Sequence, residues 1–279
     1  MKSKDLASEI RRNVAAALAE DVGSGDATAP LTPLGRPAQA SVICRQEAVV
    51  CGQPWFDACF RKLDARARVT WLVKEGAKVG PGTRVCEVRG KARALLAAER
   101  SAINFLQMLS AVATATRRLV DAAAGTRAKI VDTRKTLPGL RVAQKYAVRM
   151  GGGANHRMGL YDAMLIKENH IAAAGGVRQA LAQAKKAAKR GVWVQIEVES
   201  LDQLREALEA GAKMILLDNM TPETMHEAVR IAGDRAELEA SGGITLENVR
   251  KIAETGVHRI SSGTLTKDIK AVDFSMRFE

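Results

Sequence analysis

From residue 125 onward, one short unit recurs along the chain: an apolar run, a polar turn, and an amphipathic helix that ends near glycine. Four of the apolar runs end at Glu197, Asp218, Ser241 and Ser261, which are 20 to 23 residues apart. Strands joined by helices at this spacing lie parallel, with the helices covering the sheet. The repeat predicts an α/β fold with a closed or nearly closed barrel, of which about six or seven strands are recognisable.

The first 112 residues follow a different rhythm and predict a separate domain. Ala40, Val42 and Cys44 alternate as in a half-buried strand, and two further strand-like runs flank a Gly/Pro turn near residue 81. A helix over residues 93–123 has apolar residues on all sides, which predicts burial in an interdomain or subunit contact. The tail alternates again. We therefore predict domains at 1–112 and 113–267, with residues 268–279 returning to the first.

Charge and composition narrow the class of protein. The 279 residues include 43 Lys and Arg against 31 Asp and Glu, a net charge of +12, and 4% are aromatic. Three interpretations of this charge stay open: a solvated surface, a nucleic-acid surface, or a site for polyanionic small molecules. The scarcity of aromatic residues and of basic runs disfavours nucleic acid.

Targeting and redox signals point to the cytosol. No segment approaches the roughly 18–20 uncharged apolar residues of a membrane helix. Charges recur through the first twelve residues, which disfavours a signal peptide. The four cysteines match no zinc pattern, so we expect reduced, mostly buried thiols and a cytosolic location.

Polar residues collect at the carboxyl ends of the predicted strands, where α/β barrels carry their chemistry. They are Thr133, Arg134 and Lys135; Lys167; Glu197; Asp218; Ser241, Gly242 and Gly243; and Ser261, Ser262 and Gly263. A run of three glycines also precedes His156 and Arg157. Cations suit anionic substrates, carboxylates suit Mg²⁺, and the glycine-containing ends suit phosphate. Because no nucleophile has a convincing orienting base, we predict two polyanionic substrates, one of which attacks the other.

Simpler structural roles stay open for these residues. Arg134 is consistent with a surface charge, and Glu197 with a structural salt bridge to Lys167 or Arg134. Asp218 is consistent with a cap on the next helix. The glycine loops are consistent with plain turns or connectors, although the loop after Ser241 is expected to lead directly into a helix from Thr245.

Seven motifs occur in order over almost the whole chain: EDVGSGDAT, AERSAINFLQMLSAVAT, DTRKT through KENH, IEVES, ILLDNM, EASGGI and ISSGTLT. In this combination the sequence closely resembles the quinolinate phosphoribosyltransferases, or carboxylating nicotinate-nucleotide pyrophosphorylases. The resemblance implies the type II phosphoribosyltransferase fold, with an N-terminal α/β sandwich domain and an incomplete α/β barrel. It also implies phosphoribosyl transfer from phosphoribosyl pyrophosphate to quinolinate with decarboxylation, in NAD biosynthesis, with Mg²⁺ as cofactor.

The resemblance further implies roles for individual residues. Quinolinate binding is expected of Arg100, Arg134, His156, Arg157 and Lys167. Phosphoribosyl binding is expected of Thr133, Lys135, Lys167, Glu197, Asp218, Ser241, Gly242, Gly243, Ser261, Ser262 and Gly263. Lys135, Glu197 and Asp218 are the expected catalytic residues, and the two acids would reach the metal through substrate or water. A homodimer is implied, with Arg100 reaching the partner's site and larger assemblies left open.

Three rival functions remain at this stage: a nicotinate phosphoribosyltransferase, a transport-associated homologue of similar length, and a nucleic-acid-binding protein with a vestigial barrel. The block from HRMG to KENH favours quinolinate over the first two. No nucleic-acid or membrane partner is expected.

Overall fold

The computed structural model describes residues 3–279, with side chains from residue 6 onward. The first two residues, where the predicted first domain begins, lie outside the described residues. The helices are α1 (Ser3–Val22), α2 (Gln53–Leu63), α3 (Ala92–Ala122), α4 (Arg141–Met150), α5 (Glu168–Ala174), α6 (Val177–Ala187), α7 (Leu201–Glu209), α8 (Pro222–Ala232), α9 (Val249–Glu254) and α10 (Thr264–Lys267). The strands are β1 (Pro37–Cys44), β2 (Ala48–Val49), β3 (Arg68–Trp71), β4 (Lys78–Val79), β5 (Arg84–Lys91), β6 (Lys129–Val131), β7 (Ala163–Ile166), β8 (Trp193–Val198), β9 (Met214–Asp218), β10 (Glu237–Ser241), β11 (Arg259–Ser261) and β12 (Phe274–Phe278).

The chain forms two compact units. The first comprises Met1–Ala115, Leu137–Gly152 and Asp268–Glu279, and the second comprises Thr116–Thr136 and Gly153–Lys267. The segment from Leu137 to Gly152 therefore belongs to the first unit, whereas the sequence analysis placed it within 113–267. The reason is packing: α4 buries Ala143, Ala147 and Val148 in the apolar core of the first unit. No local periodicity records such a long-range contact.

An antiparallel sheet with strand order β12-β1-β5-β3 organises the first unit. Ala40, Val42 and Cys44 are fully buried on one face of β1, as their alternation predicts. The tail strand β12 pairs antiparallel with β1 and sets Phe274 opposite Cys44. The final residues thus complete the sheet that the early part of the chain begins.

Aromatic side chains of α2 fill the core of this first unit. Trp55, Phe56 and Phe60 are fully buried, and the ring of Phe56 lies 5.0 Å from that of Phe60. The indole Nε1 of Trp55 donates to Asn13 Oδ1 on α1 at 3.0 Å, so its polar atom is satisfied inside the core. The cysteines are all free and buried, as predicted. Burial raises the pKa of the Cys59 thiol to about 12.

A parallel six-stranded sheet organises the second unit, in the order β6-β11-β10-β9-β8-β7. Ile196, Ile215 and Leu217 lie on one face of this sheet and are fully buried. Among the described residues no pairing joins the edge strands β6 and β7, so of the closed or nearly closed barrel that the repeat predicts, the open form is present. The incomplete α/β barrel that the resemblance implies is the arrangement found.

Within the part of the chain that the structure describes, no helix combines the length and apolar character that a bilayer crossing requires.

Candidate active site

One cavity of about 1300 Å³ lies at the carboxyl ends of the parallel strands, within the second unit. Its lining includes Thr133, Arg134, Lys135, His156, Arg157, Lys167, Glu197, Asp218, Ser241, Gly242, Gly243, Ser261, Ser262 and Gly263. Of the residues singled out from the sequence, Arg100 is the one outside this lining. It is an exposed residue of α3 in the first unit. The strand ends converge because parallel strands all present their carboxyl ends at the same edge of a sheet.

The alternation of side chains along each strand sorts the polar residues into two layers. Asp218 and Ser241 end their strands and are paired in register, whereas Glu197 is the last residue but one of β8 and is in register with Leu216. Residues two positions earlier point to the same side of the sheet and lie deeper. This second layer is polar as well, and it includes Gln195 and Glu239, each 1% exposed.

Two arginines form the cationic side of the cavity. Arg157 is held by a hydrogen bond from Nη1 to the carbonyl oxygen of Ala163 at 3.2 Å. Burial lowers the pKa of Arg157 below its usual value, the neighbouring charge of Arg134 lowers it further, and Asp162 opposes the shift. Two guanidinium groups that repel each other inside a cavity favour an anionic ligand between them.

The glycine-rich loop before Arg157 is anchored and is not a plain connector. Asp132, fully buried at the end of β6, accepts from the backbone N–H of His156 at 2.9 Å and from Asn155 Nδ2 at 2.6 Å. Ala154 forms a parallel bridge with Val131 and so extends the edge of the sheet. The loop therefore presents His156 and Arg157 in a defined position.

Lys167 and Glu197 form an ion pair across adjacent strand ends. Lys167 Nζ lies 3.1 Å from Glu197 Oε2. Burial raises the pKa of the Glu197 carboxyl above its usual value, Lys167 opposes this shift, and Asp218 and Glu168 add to it. The salt bridge considered from the sequence is present, but the Lys167 side chain remains 46% exposed, which leaves its ammonium accessible to a ligand in the cavity.

Asp218 does not cap the following helix, so that structural alternative is wrong. The cap of α8 is Thr221, whose hydroxyl accepts from the backbone N–H of Thr224 at 3.3 Å. Asp218 instead accepts from Nδ2 of Asn219 at 2.8 Å. Asn219 has φ of +53°, and among the described residues no other non-glycine has a positive φ. This unusual backbone turns the amide of Asn219 back onto the carboxylate.

The two glycine-containing strand ends, residues 241–243 and 261–263, also line the cavity. The expected helix from Thr245 begins only at Val249, because Asn248 Oδ1 accepts from the Thr245 N–H at 2.9 Å and holds a turn there. At the other end Lys135 lies across Gly263, where a Cβ would come within 2.9 Å of Lys135 Cδ. Both ends leave backbone exposed to the cavity.

Three deeper residues escaped the sequence analysis: Gln195, Glu239 and Arg259. Each precedes a strand-end residue by two positions, so period-two alternation from Glu197, Ser241 and Ser261 is the signal that could have found them. Glu239 Oε2 lies 3.2 Å from Gln195 Nε2 and 3.2 Å from Arg259 Nε.

Comparison with known proteins decides the family. Residues 26–110 match the family model for the N-terminal domain of quinolinate phosphoribosyl transferase, and residues 112–277 match the model for its C-terminal domain. The chain belongs to the quinolinate phosphoribosyltransferase family. It is 42% identical to a probable carboxylating nicotinate-nucleotide pyrophosphorylase of Bacillus subtilis, with 92% of this chain and 89% of that protein covered. It is 41% identical to the human carboxylating nicotinate-nucleotide pyrophosphorylase, with 86% and 82% covered.

Solved structures agree with this assignment to the quinolinate phosphoribosyltransferase family. The nicotinate-nucleotide pyrophosphorylase of Francisella tularensis superposes with a TM-score of 0.94 at 45% identity, and covers 98% of this chain and 97% of its own. The enzyme of the same name from Pyrococcus furiosus shares the fold, with a TM-score of 0.71 at 16% identity. The type II phosphoribosyltransferase fold is therefore that of this chain.

Proposed function

We propose that this protein transfers the phosphoribosyl group of phosphoribosyl pyrophosphate to quinolinate, and releases pyrophosphate and CO₂ to give nicotinate mononucleotide for NAD biosynthesis. The observation that carries the proposal is one cavity whose lining contains both the arginines Arg134 and Arg157 and the carboxylates Glu197 and Asp218. Such a site is suited to a dianionic ring on one side and to a ribose that develops positive charge on the other. The names of the family relatives support the same reaction.

The cationic side would hold the two carboxylates of quinolinate. Guanidinium groups bind planar carboxylates with two parallel hydrogen bonds, which Lys cannot do. Arg134 and Arg157 therefore orient the ring, and Lys167 adds a point charge at its edge. The pyridine nitrogen then attacks the anomeric carbon, so the protein needs no nucleophile of its own.

The acidic side would stabilise the ribose as pyrophosphate departs with the electron pair of the broken C–O bond. Glu197 and Asp218 line the cavity together, and their charges are close enough for Asp218 to raise the pKa of Glu197. The side chain of Lys135 lies beside Gly263, and in this proposal it contacts the phosphates. The backbone around residues 241–243 and 261–263 is suited to the 5′-phosphate. After transfer, the departing CO₂ leaves its electron pair on the ring carbon, where the positively charged alkylated nitrogen stabilises it until that carbon takes up a proton from water.

Mg²⁺ is the cofactor that we propose, and the residues fit it. The described residues contain no group of three or more His, Cys, Asp or Glu side chains that could hold a metal by themselves. Two carboxylates in a cavity suit Mg²⁺, which keeps several waters and binds through one or two carboxylates together with substrate phosphates. When bound, it would neutralise charge on the departing pyrophosphate. Glu197 and Asp218 would orient it through water or substrate oxygens.

We further propose a homodimer in which Arg100 enters the partner's site. Arg100 is exposed on α3 and, unlike the other predicted quinolinate ligands, does not line the cavity of its own chain. Mixing inactive Arg100→Ala with inactive Lys167→Ala subunits tests this directly. Activity should return in the mixture. In the heterodimer, one site combines Lys167 of the Arg100→Ala subunit with Arg100 of the Lys167→Ala subunit and so carries neither change. No recovery, with exchange of subunits verified, would contradict the shared site.

We also propose that the protein works in the cytosol, because four free thiols suit a reducing compartment. Immunodetection after cell fractionation would test this.

The decisive experiment measures CO₂ release from carboxyl-labelled quinolinate with phosphoribosyl pyrophosphate and Mg²⁺. We expect release that depends on all three, and loss of at least about 100-fold in Arg134→Ala and Lys167→Ala. Arg205→Ala, which removes a surface ion pair with Asp202, is the matched control and should remain active. Turnover of nicotinate without CO₂ would refute the proposal. Salt-sensitive nucleic-acid binding that survives Arg134→Ala would favour the rival nucleic-acid function.

A further inference from the structure

A buried chain of polar side chains lies beneath the cavity and ends on His156. Gln195 and Glu239 are 1% exposed and His156 is 8% exposed. Burying polar groups costs free energy unless they are hydrogen-bonded. The contacts among them therefore carry information about which atoms bear protons.

The hydrogen bonds identify the tautomer of His156. Its Nδ1 accepts from the backbone N–H of Arg157 at 2.8 Å, and a backbone N–H can only donate. Nδ1 therefore carries a lone pair, and a neutral ring has its proton on Nε2. This Nε2 lies 3.0 Å from Oε1 of Gln195 and donates to it.

The orientation of the Gln195 amide is defined from its other side. Its Nε2 lies 3.2 Å from Oε2 of Glu239, and an ionised carboxylate only accepts. The amide oxygen must then face His156, as the ring proton requires. Glu239 in turn lies 3.2 Å from Arg259 Nε, which supplies the opposite charge.

Both ring nitrogens of His156 are thus occupied by protein groups. The ring is also fixed by an edge contact with Trp193, at 5.2 Å between centroids. We infer that His156 is a positioning residue for Arg157 rather than a substrate ligand, and that Glu239 is the charged end of the chain that holds it. The family resemblance implies instead that His156 binds quinolinate. The kinetic test of the positioning role rests on the proposed function, because it measures the KM for quinolinate.

The first experiment reads the tautomer and needs no activity. The protein has four histidines, so long-range ¹H–¹⁵N spectra can be assigned with a His156→Asn variant. At pH 7.5 we expect His156 to show a protonated Nε2 and an unprotonated Nδ1. In Gln195→Met, which removes the acceptor at similar volume, Nδ1 should stay unprotonated because it still accepts from the Arg157 N–H, while the Nε2–H resonance should shift because its acceptor is lost. A protonated Nδ1 in the wild-type protein would overturn the inference, whatever the substrate proves to be.

The second experiment separates positioning from direct binding by a matched pair of substitutions. The Oδ1 of Asn replaces Nδ1 as an acceptor for the Arg157 N–H, whereas the Nε2 of Gln replaces only the ring Nε2 donor. We expect His156→Asn to keep the quinolinate KM within about threefold, and His156→Gln to raise it about tenfold, the usual effect of one lost hydrogen bond. The KM for phosphoribosyl pyrophosphate should stay unchanged in both.

The reverse order, with His156→Gln active and His156→Asn impaired, would show that Nε2 contacts the substrate and would overturn the inference. Thermal melts check that both variants fold. If the wild-type protein shows the expected tautomer but does not turn over quinolinate, the proposed function fails while the positioning of Arg157 stands.

Discussion

Gly242→Ala should impair the acidic side of the cavity through a residue that it displaces. A Cβ at position 242 would lie 2.7 Å from Cγ and 3.1 Å from Cα of Asn219, and closer still to Oδ1. The Asn219 side chain must therefore move away. Its hydrogen bond to Asp218, 2.8 Å long in the structure, is then lost. The carboxylate loses the group that fixes its orientation.

The magnitude follows from two terms. Gly242 has φ of +98°, and an L-residue in the left-handed region costs about 1–2 kcal/mol. Loss of the hydrogen bond to Asp218 adds about 1 kcal/mol, at the low end for a charged acceptor because Asn219 is exposed. We expect Gly242→Ala to lower the free energy of unfolding by about 2–3 kcal/mol. Asp218 is a proposed ligand of the phosphoribosyl group. Loss of the hydrogen bond of about 1 kcal/mol that orients its carboxylate should therefore raise the KM for phosphoribosyl pyrophosphate about fivefold.

Gly125→Ala is the matched control, because Gly125 does not line the cavity. Gly125 also has a positive φ, of +80°, but a Cβ there meets no atom within 4 Å. It should therefore lose only the backbone term, about 1–2 kcal/mol, and keep its substrate KM. Urea unfolding and initial-rate kinetics on both variants provide the comparison. Equal effects of the two substitutions on stability and on KM would refute the reasoning.

Three further predictions follow from the charges and thiols. Glu197→Gln should lower kcat about 100-fold or more. The free energy of unfolding at pH 7.5 should stay equal or rise, because the raised pKa of Glu197 means that its ionised form destabilises the fold, and a clear loss of stability would contradict this. For the same reason, protonated Glu197 should stabilise the fold at acid pH, and this contribution should be lost as the pH rises from the ordinary pKa of a glutamate to the raised pKa of Glu197. Urea titrations from pH 4 to 7 should show this loss in the wild-type protein and not in Glu197→Gln. The four buried thiols should resist a thiol reagent at pH 8 until denaturant is added, since burial raises the pKa of Cys59 to about 12; rapid labelling of the native protein would contradict their burial.

Much of the site could be predicted because parallel strands place their ends together. Thr133, Lys167 and Glu197 are far apart along the chain, yet each ends an apolar run, and the rule for α/β sheets brings them to one edge. The resemblance added their expected roles. Their common place in the cavity is consistent with those roles, and CO₂-release assays on site variants test them.

The deeper layer could not be recognised in the same way. Glu239 stands in the short run ELEAS together with a second acid, Glu237, and the run gives no sign of the partners of Glu239. Its contacts come from Gln195 on β8, two strands away, and from Arg259 on the neighbouring β11, and they depend on register, which the sequence does not record. The placement of α4 in the first unit depended on long-range packing in the same way.

By itself, the sequence determined the α/β class, the strand ends that carry polar residues, and the family. Local patterns suffice for these, because helix and strand periodicities and motif order are properties of the chain. Only the tertiary structure decided that α4 packs in the first unit, that Thr221 and not Asp218 caps α8, and that both nitrogens of His156 are engaged. Each of these depends on which atoms meet across different elements. Hydrogen bonds of about 3 Å are set by that packing and not by spacing along the chain.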